Sequence, residues 1–319
     1  MKNLNSILKW LLGISISLSL FLVGLYAVLR VENRELNQET RKEANGEFME
    51  LPEGWVNFQL DGPDDAPLVV FVPGFSVPSY IWEPTTRSLQ RAGYQTLSYD
   101  LYGRGYSDRP NLVYDLELFT TQLDQLLTML NKEDPVFLVG LSMGGPIVSR
   151  FANQHPDRVN GVILIAPEVM QPTSQDIFPL NLPGLGDFLM VAVMEPVVLP
   201  KLQPGDFFHP DKFPGWEEKY QVQLEFQGTG RALLSTIREL VKMDPEAEYK
   251  TLRTTGLPVL LIWGKEDQTI GADQINVLQK ILPDMEVFFV DDAGHIPHYE
   301  RPEIVNPVMI EFLDRTLSQ

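Results

Sequence analysis

The chain reads as an α/β protein: a mostly parallel sheet with helices on both faces, plus an inserted helical lid and an N-terminal transmembrane helix. Three observations predict this. Short, almost continuously apolar runs, such as Leu68–Val72 and Val136–Leu141, alternate with segments of helical periodicity. Strands apolar on both faces belong in a parallel sheet covered on each side. Residues 168–250 break that rhythm with prolines and scattered aromatics, as an insertion between two core strands would. Residues 10–29, WLLGISISLSLFLVGLYAVL, carry no charge at all.

The elements follow in chain order. Twenty uncharged residues are enough to span a bilayer core at about 1.5 Å per residue. Lys2 and Lys9 flank the run on one side, and Arg30, Arg34, Arg41 and Lys42 on the other. These counts are too even to orient it by the positive-inside rule. The competing reading is a cleaved secretory signal, but the apolar run is long for one, and Leu25 sits where a cleavage site after Ala27 wants a small residue. A retained single-pass anchor over residues 1–30 is the expectation, with secretion the consequence if the segment is cleaved. Residues 31–50 are polar and mixed in charge and read as a linker, partly helical at most.

From residue 51 to 319 a single domain is expected. Residues 54–60 read as a strand, followed by an Asp-Gly-Pro turn. Leu68–Val72 is a valine-rich strand ending at Pro73-Gly74. A helix is expected over 80–92 and a strand over Gln95–Tyr99. The stripe Leu116, Phe119, Leu123, Leu126, Leu127, Leu130 predicts a helix over 115–131. A strand over Val136–Leu141 and a helix over 143–154 come next. Strands over 161–165, 259–263 and 285–290 and a helix over 303–316 complete the pattern. The insertion, 168–250, holds helical segments, notably 229–243. It is expected over the carboxyl ends of the strands, where open sheets of this kind bind ligands.

Composition excludes several functions. The net charge of -18 opposes nucleic-acid phosphates and a peripheral grip on anionic lipid. With no cysteine, there is no disulfide, thiol nucleophile or thiolate metal site. The four histidines, His155, His209, His295 and His298, form no metal-binding pattern. No metal or cofactor is expected.

The chemistry centres on Gly140-Leu141-Ser142-Met143-Gly144, a G-x-S-x-G sequence between an expected strand and an expected helix. A sharp strand-to-helix turn holds such a serine in an unfavourable backbone conformation and projects its hydroxyl above the sheet edge. The alternative is a glycine-rich turn with a capping serine. A serine hydroxyl needs a base to become a nucleophile. Asp267 follows the strand over 259–263, and His295 follows the strand over 285–290, so both belong at the same sheet edge as Ser142. The expected roles are His295 as general base, then acid, with Asp267 holding the imidazole and stabilising its cation. His298 is a rival base, and Glu266, Asp291 and Asp292 are rival acids. The oxyanion donors are expected to be the backbone N–H groups of Met143 and Phe75.

These motifs, Pro73-Gly74-Phe75, Asp100 to Ser107, Gly140 to Gly145, Gly264 to Asp267 and Gly294-His295, together resemble the α/β-hydrolase superfamily over residues 51–319. The resemblance implies a serine hydrolase without cofactor, and makes Asp100 to Ser107 a structural loop after the fourth strand. The family's usual His-Gly is Pro73-Gly74 here, which leaves a backbone donor available. Serine at the elbow sets the chain apart from dehalogenases and epoxide hydrolases of this fold. With the N-terminal segment, it resembles the membrane-anchored monoacylglycerol lipases. The expected activity is cleavage of carboxylic esters through an acyl-enzyme, on monoacylglycerols or lysophospholipids. The alternatives are a C–C bond hydrolase of the meta-cleavage type and a non-catalytic scaffold. Phe178, Leu180, Leu182, Leu185, Phe188, Leu189, Met190 and Met194 are candidates for an acyl-binding lid or for packing of the insertion on the core. Trp82 and Trp263 are expected in the core, Trp263 with the option of lining the pocket.

Overall fold

The computed structural model describes residues 2–318, with the side chains of residues 2–8, 18, 19 and 22 outside the description. Eight strands form one sheet: β1 (Glu47–Leu51), β2 (Gly54–Asp61), β3 (Leu68–Val72), β4 (Gln95–Tyr99), β5 (Val136–Leu141), β6 (Val159–Ile165), β7 (Val259–Gly264) and β8 (Glu286–Val290). Their spatial order is β1-β2-β4-β3-β5-β6-β7-β8. The β1/β2 and β2/β4 pairs are antiparallel, and all later pairs are parallel.

The apolar runs explain the burial. Every residue of β3, β4, β5 and β7 is buried. Each strand therefore feeds two cores. On one face Val70, Val72, Leu138 and Leu164 pack under helices Leu116–Met129 and Gly144–Gln154. On the other, Val69, Phe71, Val139 and Ile163 pack under helices Glu83–Arg91 and Pro302–Leu317. The parallel register pairs Val72 with Gly140, Leu141 with Ile165, Ile165 with Ile262 and Gly264 with Val290. The carboxyl ends of β3, β5, β6, β7 and β8 thus form one edge, and the loops after them converge there.

Several local expectations shift. The helix expected over 80–92 opens as a 3₁₀ turn, Ser79–Trp82, before Glu83–Arg91. Residues 31–50 hold a helical turn, Gln38–Arg41, and an edge strand, β1. The sequence pattern hid β1 because an edge strand with half-exposed faces mixes Glu47 and Glu50 with Phe48 and Met49. The polar stretch is also pinned to the domain: Arg41 pairs with Asp108 at 2.5 Å, and the Gly230 N–H donates to Glu32 at 2.8 Å. A helix over Ala272–Ile281 separates β7 from β8.

Residues 10–29 lie in one helix, Lys2–Leu29, of 28 residues. Most of its described side chains are exposed, Trp10, Leu11, Phe21 and Val28 among them, while the helix also contacts the π-helix Met190–Val198 of the domain. Among the described residues no helix is long and apolar enough to cross a membrane. Leu18, Ser19 and Leu22 of the expected span, and the flanking Lys2, lie outside the described side chains. The expected transmembrane helix is therefore present as a helix but not established as a span.

Candidate active site

Ser142 stands at the end of β5, immediately before helix Gly144–Gln154, with φ of 53°. A non-glycine residue in the left-handed region is uncommon and persists only where its surroundings over-determine it. Here they do. The Ser142 N–H donates to the Ile165 carbonyl at 3.0 Å, and its carbonyl accepts from the N–H groups of Gly145 at 2.9 Å and Glu168 at 3.1 Å. Two glycines make room. A Cβ on Gly140 would meet the Gly144 carbonyl, and one on Gly144 would meet the Val72 carbonyl. The corner is therefore a tight strand-to-helix turn, as the spacing predicts.

His295 Nδ1 lies 2.9 Å from Asp267 Oδ2, with the His295 side chain 6% exposed and that of Asp267 fully buried. Asp267 is further held because its Oδ1 accepts from the backbone N–H groups of Thr269 at 2.8 Å and Ile270 at 3.0 Å. One carboxylate oxygen is thus committed to its own loop and the other to the imidazole. Burial alone would lower the His295 pKa. The hydrogen bond and charge of Asp267, with the nearby carboxyls of Asp206 and Glu168, outweigh it and leave the pKa raised.

Ser142 and His295 line the same cavity, of about 460 Å³, and Gly74 and Phe75 form part of its wall. The Phe75 and Met143 N–H groups have no acceptor among the described residues. The Phe75 loop is fixed from behind, where Arg104 Nε donates to the Phe75 carbonyl at 2.8 Å. The same guanidinium donates to the Tyr102 carbonyl at 3.1 Å and to Thr236 Oγ1 of helix Thr229–Leu240 at 2.9 Å. It also sits over the rings of Phe75, Tyr114 and Phe119. Burial pulls the Arg104 pKa down to about 10. The loop Asp100 to Ser107 is therefore structural in a specific way, tying the Phe75 loop to the insertion.

The rivals separate cleanly. His298 is fully buried against Trp82, with ring centroids 4.4 Å apart, and neither ring nitrogen finds a partner. Burial, aided by the charge of His295, lowers its pKa to about 3. It is a neutral core residue. Glu266 accepts from the Ala293 N–H at 3.0 Å, Asp291 pairs with Lys265 at 2.5 Å, and Asp292 lies 3.8 Å from Arg301. Trp263 is in the core with Trp82 and does not line the cavity.

Of the two readings open for the insertion's eight apolar residues, packing on the core holds for part of the set, where Leu180 and Met194 pack against the core beside Met190. Phe178, Leu182 and Leu185 are exposed, Met190 is in the core, and none of the eight lines the cavity. The insertion covers the site instead with Leu199, Leu202, Gln203, Gly205 and Asp206. A continuous helical run from Leu185 through the π-helix Met190–Val198 carries the chain across before these residues reach the sheet edge. The sequence also gave no notice of Glu168. It sits just past the end of β6, and burial pushes its carboxyl up to about 7. Its position after a strand at the shared edge is the only signal that could have marked it.

Comparison with known proteins agrees with this arrangement. Lipase 1 of Psychrobacter immobilis is 26% identical over 71% of this chain and 68% of its own length. Two solved structures share the fold. The enol-lactonase of Burkholderia xenovorans LB400 has a TM-score of 0.73 at 20% identity and covers 84% of this chain and 100% of its own. A membrane phospholipase A, described as a bacterial virulence factor, has a TM-score of 0.71 at 21% identity and covers 100% of both chains. A family model described as the alpha/beta hydrolase fold matches residues 67–302. With its sheet order, its strand-to-helix corner and that match, the chain belongs to the α/β-hydrolase fold family.

Proposed function

We propose that the protein is a serine hydrolase that cleaves carboxylic esters through an acyl-enzyme on Ser142. What supports the reading most is one juxtaposition: a serine on a left-handed corner shares a cavity with a histidine whose Nδ1 is bound to a buried carboxylate at 2.9 Å. In this reading Ser142 Oγ attacks the ester carbonyl carbon while His295 Nε2 takes its proton. The carbonyl oxygen becomes an oxyanion facing the Phe75 and Met143 N–H groups. Collapse breaks the bond to the alcohol, which leaves with the proton from His295. Water then repeats the sequence, releasing the acid and restoring Ser142. Asp267 holds the imidazole in the tautomer that presents Nε2 and stabilises its cation.

The substrates in this reading are monoacylglycerols or lysophospholipids met at a membrane, where residues 1–30 anchor the chain. Supporting that, the uncharged run 10–29 lies within the helix Lys2–Leu29 and is about 30 Å long at 1.5 Å per residue, close to the thickness of a bilayer core. Its described apolar side chains meet no other part of the protein over most of that length. The site is walled mostly by apolar residues, which suits an acyl chain.

The test is fatty-acid release from monoacylglycerols, lysophospholipids, triacylglycerols and short-chain esters, with Ser142→Ala as the blank. Release from long-chain lipids that falls at least about 10³-fold in the variant is the expected result. Labelling of the wild type, but not the variant, by a fluorophosphonate probe accompanies it. Release confined to short esters makes the protein a small-molecule esterase. No Ser142-dependent release and no labelling overturns the reading and leaves the C–C hydrolase and the scaffold.

A further inference from the structure

We infer that the insertion selects the alcohol half of the ester, with Gln203 and Asp206 as hydrogen-bond acceptors for a neutral, hydroxyl-bearing alcohol of the glyceryl type. The inference rests on the ester-hydrolase reading and narrows it, because the same two residues disfavour an anionic phosphate headgroup.

The cavity wall is mixed in chemistry, with Ser76, Gln268 and Thr269 among its polar residues. Val77, Ile81, Leu141, Leu199, Leu202 and Ile296 supply apolar wall. The insertion adds Gln203 and Asp206 on one short stretch, Gln203–Asp206. Gln203 is 4% exposed. Its Nε2 donates to the Leu199 carbonyl at 3.3 Å, which identifies the other end of the amide as oxygen, and that Oε1 has no partner. A buried acceptor left without a donor costs about 1–3 kcal/mol, and native structures leave few such atoms without a role. Gln203 borders the cavity with Oε1 itself shielded, and a turn of the side chain presents that acceptor to a substrate hydroxyl.

Asp206 is placed with care. Its carbonyl accepts the His295 N–H at 2.8 Å, so the residue is registered against the base. Its Oδ1 accepts from Thr269 Oγ1 at 3.0 Å, and no hydrogen bond occupies Oδ2 among the described residues. The stretch therefore offers two acceptors beside the base that serves the leaving alcohol. Donors on the ligand answer them, and hydroxyls on the carbons next to the ester oxygen are such donors.

Charge gives the discrimination. The cavity wall contains no lysine or arginine, and its only acidic side chain is Asp206. Asp267 and Glu168 lie behind it, close enough to act on His295. A phosphate entering this cavity gives up its water with no cation to receive it, and it faces like charge.

The test compares kcat/KM at pH 8 for three substrates of one acyl length: a 1-monoacylglycerol, the methyl ester and the lysophosphatidic acid. All three are presented at equal mole fraction in a neutral detergent. The wild type is expected to prefer the monoacylglycerol over the methyl ester by at least tenfold and over the phosphate by at least a hundredfold. Asp206→Asn keeps the size and the backbone acceptor for His295 and removes the charge. It is expected to close the gap to the phosphate by at least tenfold. Gln203→Leu is expected to narrow the preference over the methyl ester several-fold. Wild-type rates within threefold across all three substrates overturn the inference. So does a wild-type preference that neither variant moves. Loss of the parent reading shows differently, as no Ser142-dependent release from any substrate.

Discussion

Ser142 and His295 are single residues whose chemistry depends on enforced local geometry. The φ of 53° at Ser142 is held by hydrogen bonds with Ile165 of β6, Gly145 of the following helix and Glu168 of the loop after β6, so the strained corner is fixed from more than one side. The raised pKa of His295 has a direct consequence for rate. Only the neutral imidazole can take the serine proton, so kcat/KM is expected to rise with pH through a midpoint above the ordinary histidine value of about 6.5. Asp267→Asn removes the principal opposing influence on burial. The midpoint then moves to lower pH, and kcat falls by about 10⁴-fold. A pH–rate profile of both proteins on a short-chain ester checks the two effects together. A midpoint that moves up, or fails to move, contradicts the assigned role of Asp267. The identities of these residues were legible from G-x-S-x-G and from the loops after two apolar runs. Glu168 and Arg104 were not, because a carboxyl becomes unusual only when buried and an arginine only when its partners, Phe75 and Thr236, fold against it.

The π-helix Met190–Val198 is the element where a conflict of forces is most visible. It buries Glu195 completely, and neither carboxyl oxygen finds a hydrogen-bond partner of good geometry. Burial, reinforced by the charge of nearby Glu32, pushes the Glu195 pKa up to about 9. The folded protein therefore keeps a proton there that the unfolded chain loses near the ordinary glutamate value. Stability from this group is full below about pH 4.5 and is lost as pH rises towards about 9. Glu195→Gln carries no proton to lose, so it is expected to raise Tm above pH 7 and flatten the fall of Tm with pH. Thermal melts between pH 5 and 9 read this out, and a variant with an unchanged slope removes Glu195 as the cause. At this scale the regular elements were legible, the insertion's helix Thr229–Leu240 included, and the rest of the insertion was not. Strands β3, β5 and β7 announce themselves because each is apolar on both faces, and helix Leu116–Met129 by its leucine stripe. In the insertion, eight apolar side chains were equally good candidates for the cavity, and the residues that reach it, 199 to 206, follow a proline-rich stretch with no periodicity to read.

The whole molecule combines an acidic domain with an N-terminal helix whose residues 10–29 carry no charge. The net charge of -18 opposes a grip on anionic lipid, so in the proposed membrane reading attachment comes from the helix. Deleting residues 1–30 is expected to move the protein from the membrane pellet to the supernatant after ultracentrifugation. The pins beyond the cut, Arg41 to Asp108 and Glu32 to Gly230, keep the domain folded. Residues 31–319 that still sediment with membranes contradict a single anchor. By itself, the sequence determined the sheet's apolar strands, the serine corner, and the order of serine, acid and base, because these rest on periodicity and on residue types a few positions apart. Only the tertiary structure decided that Gln203 and Asp206 line the cavity with Ser142, that Arg104 braces the Phe75 loop, and that His298 is a core residue. Those facts depend on contacts between segments many tens of residues apart, and burial is what changes the chemistry of the groups involved.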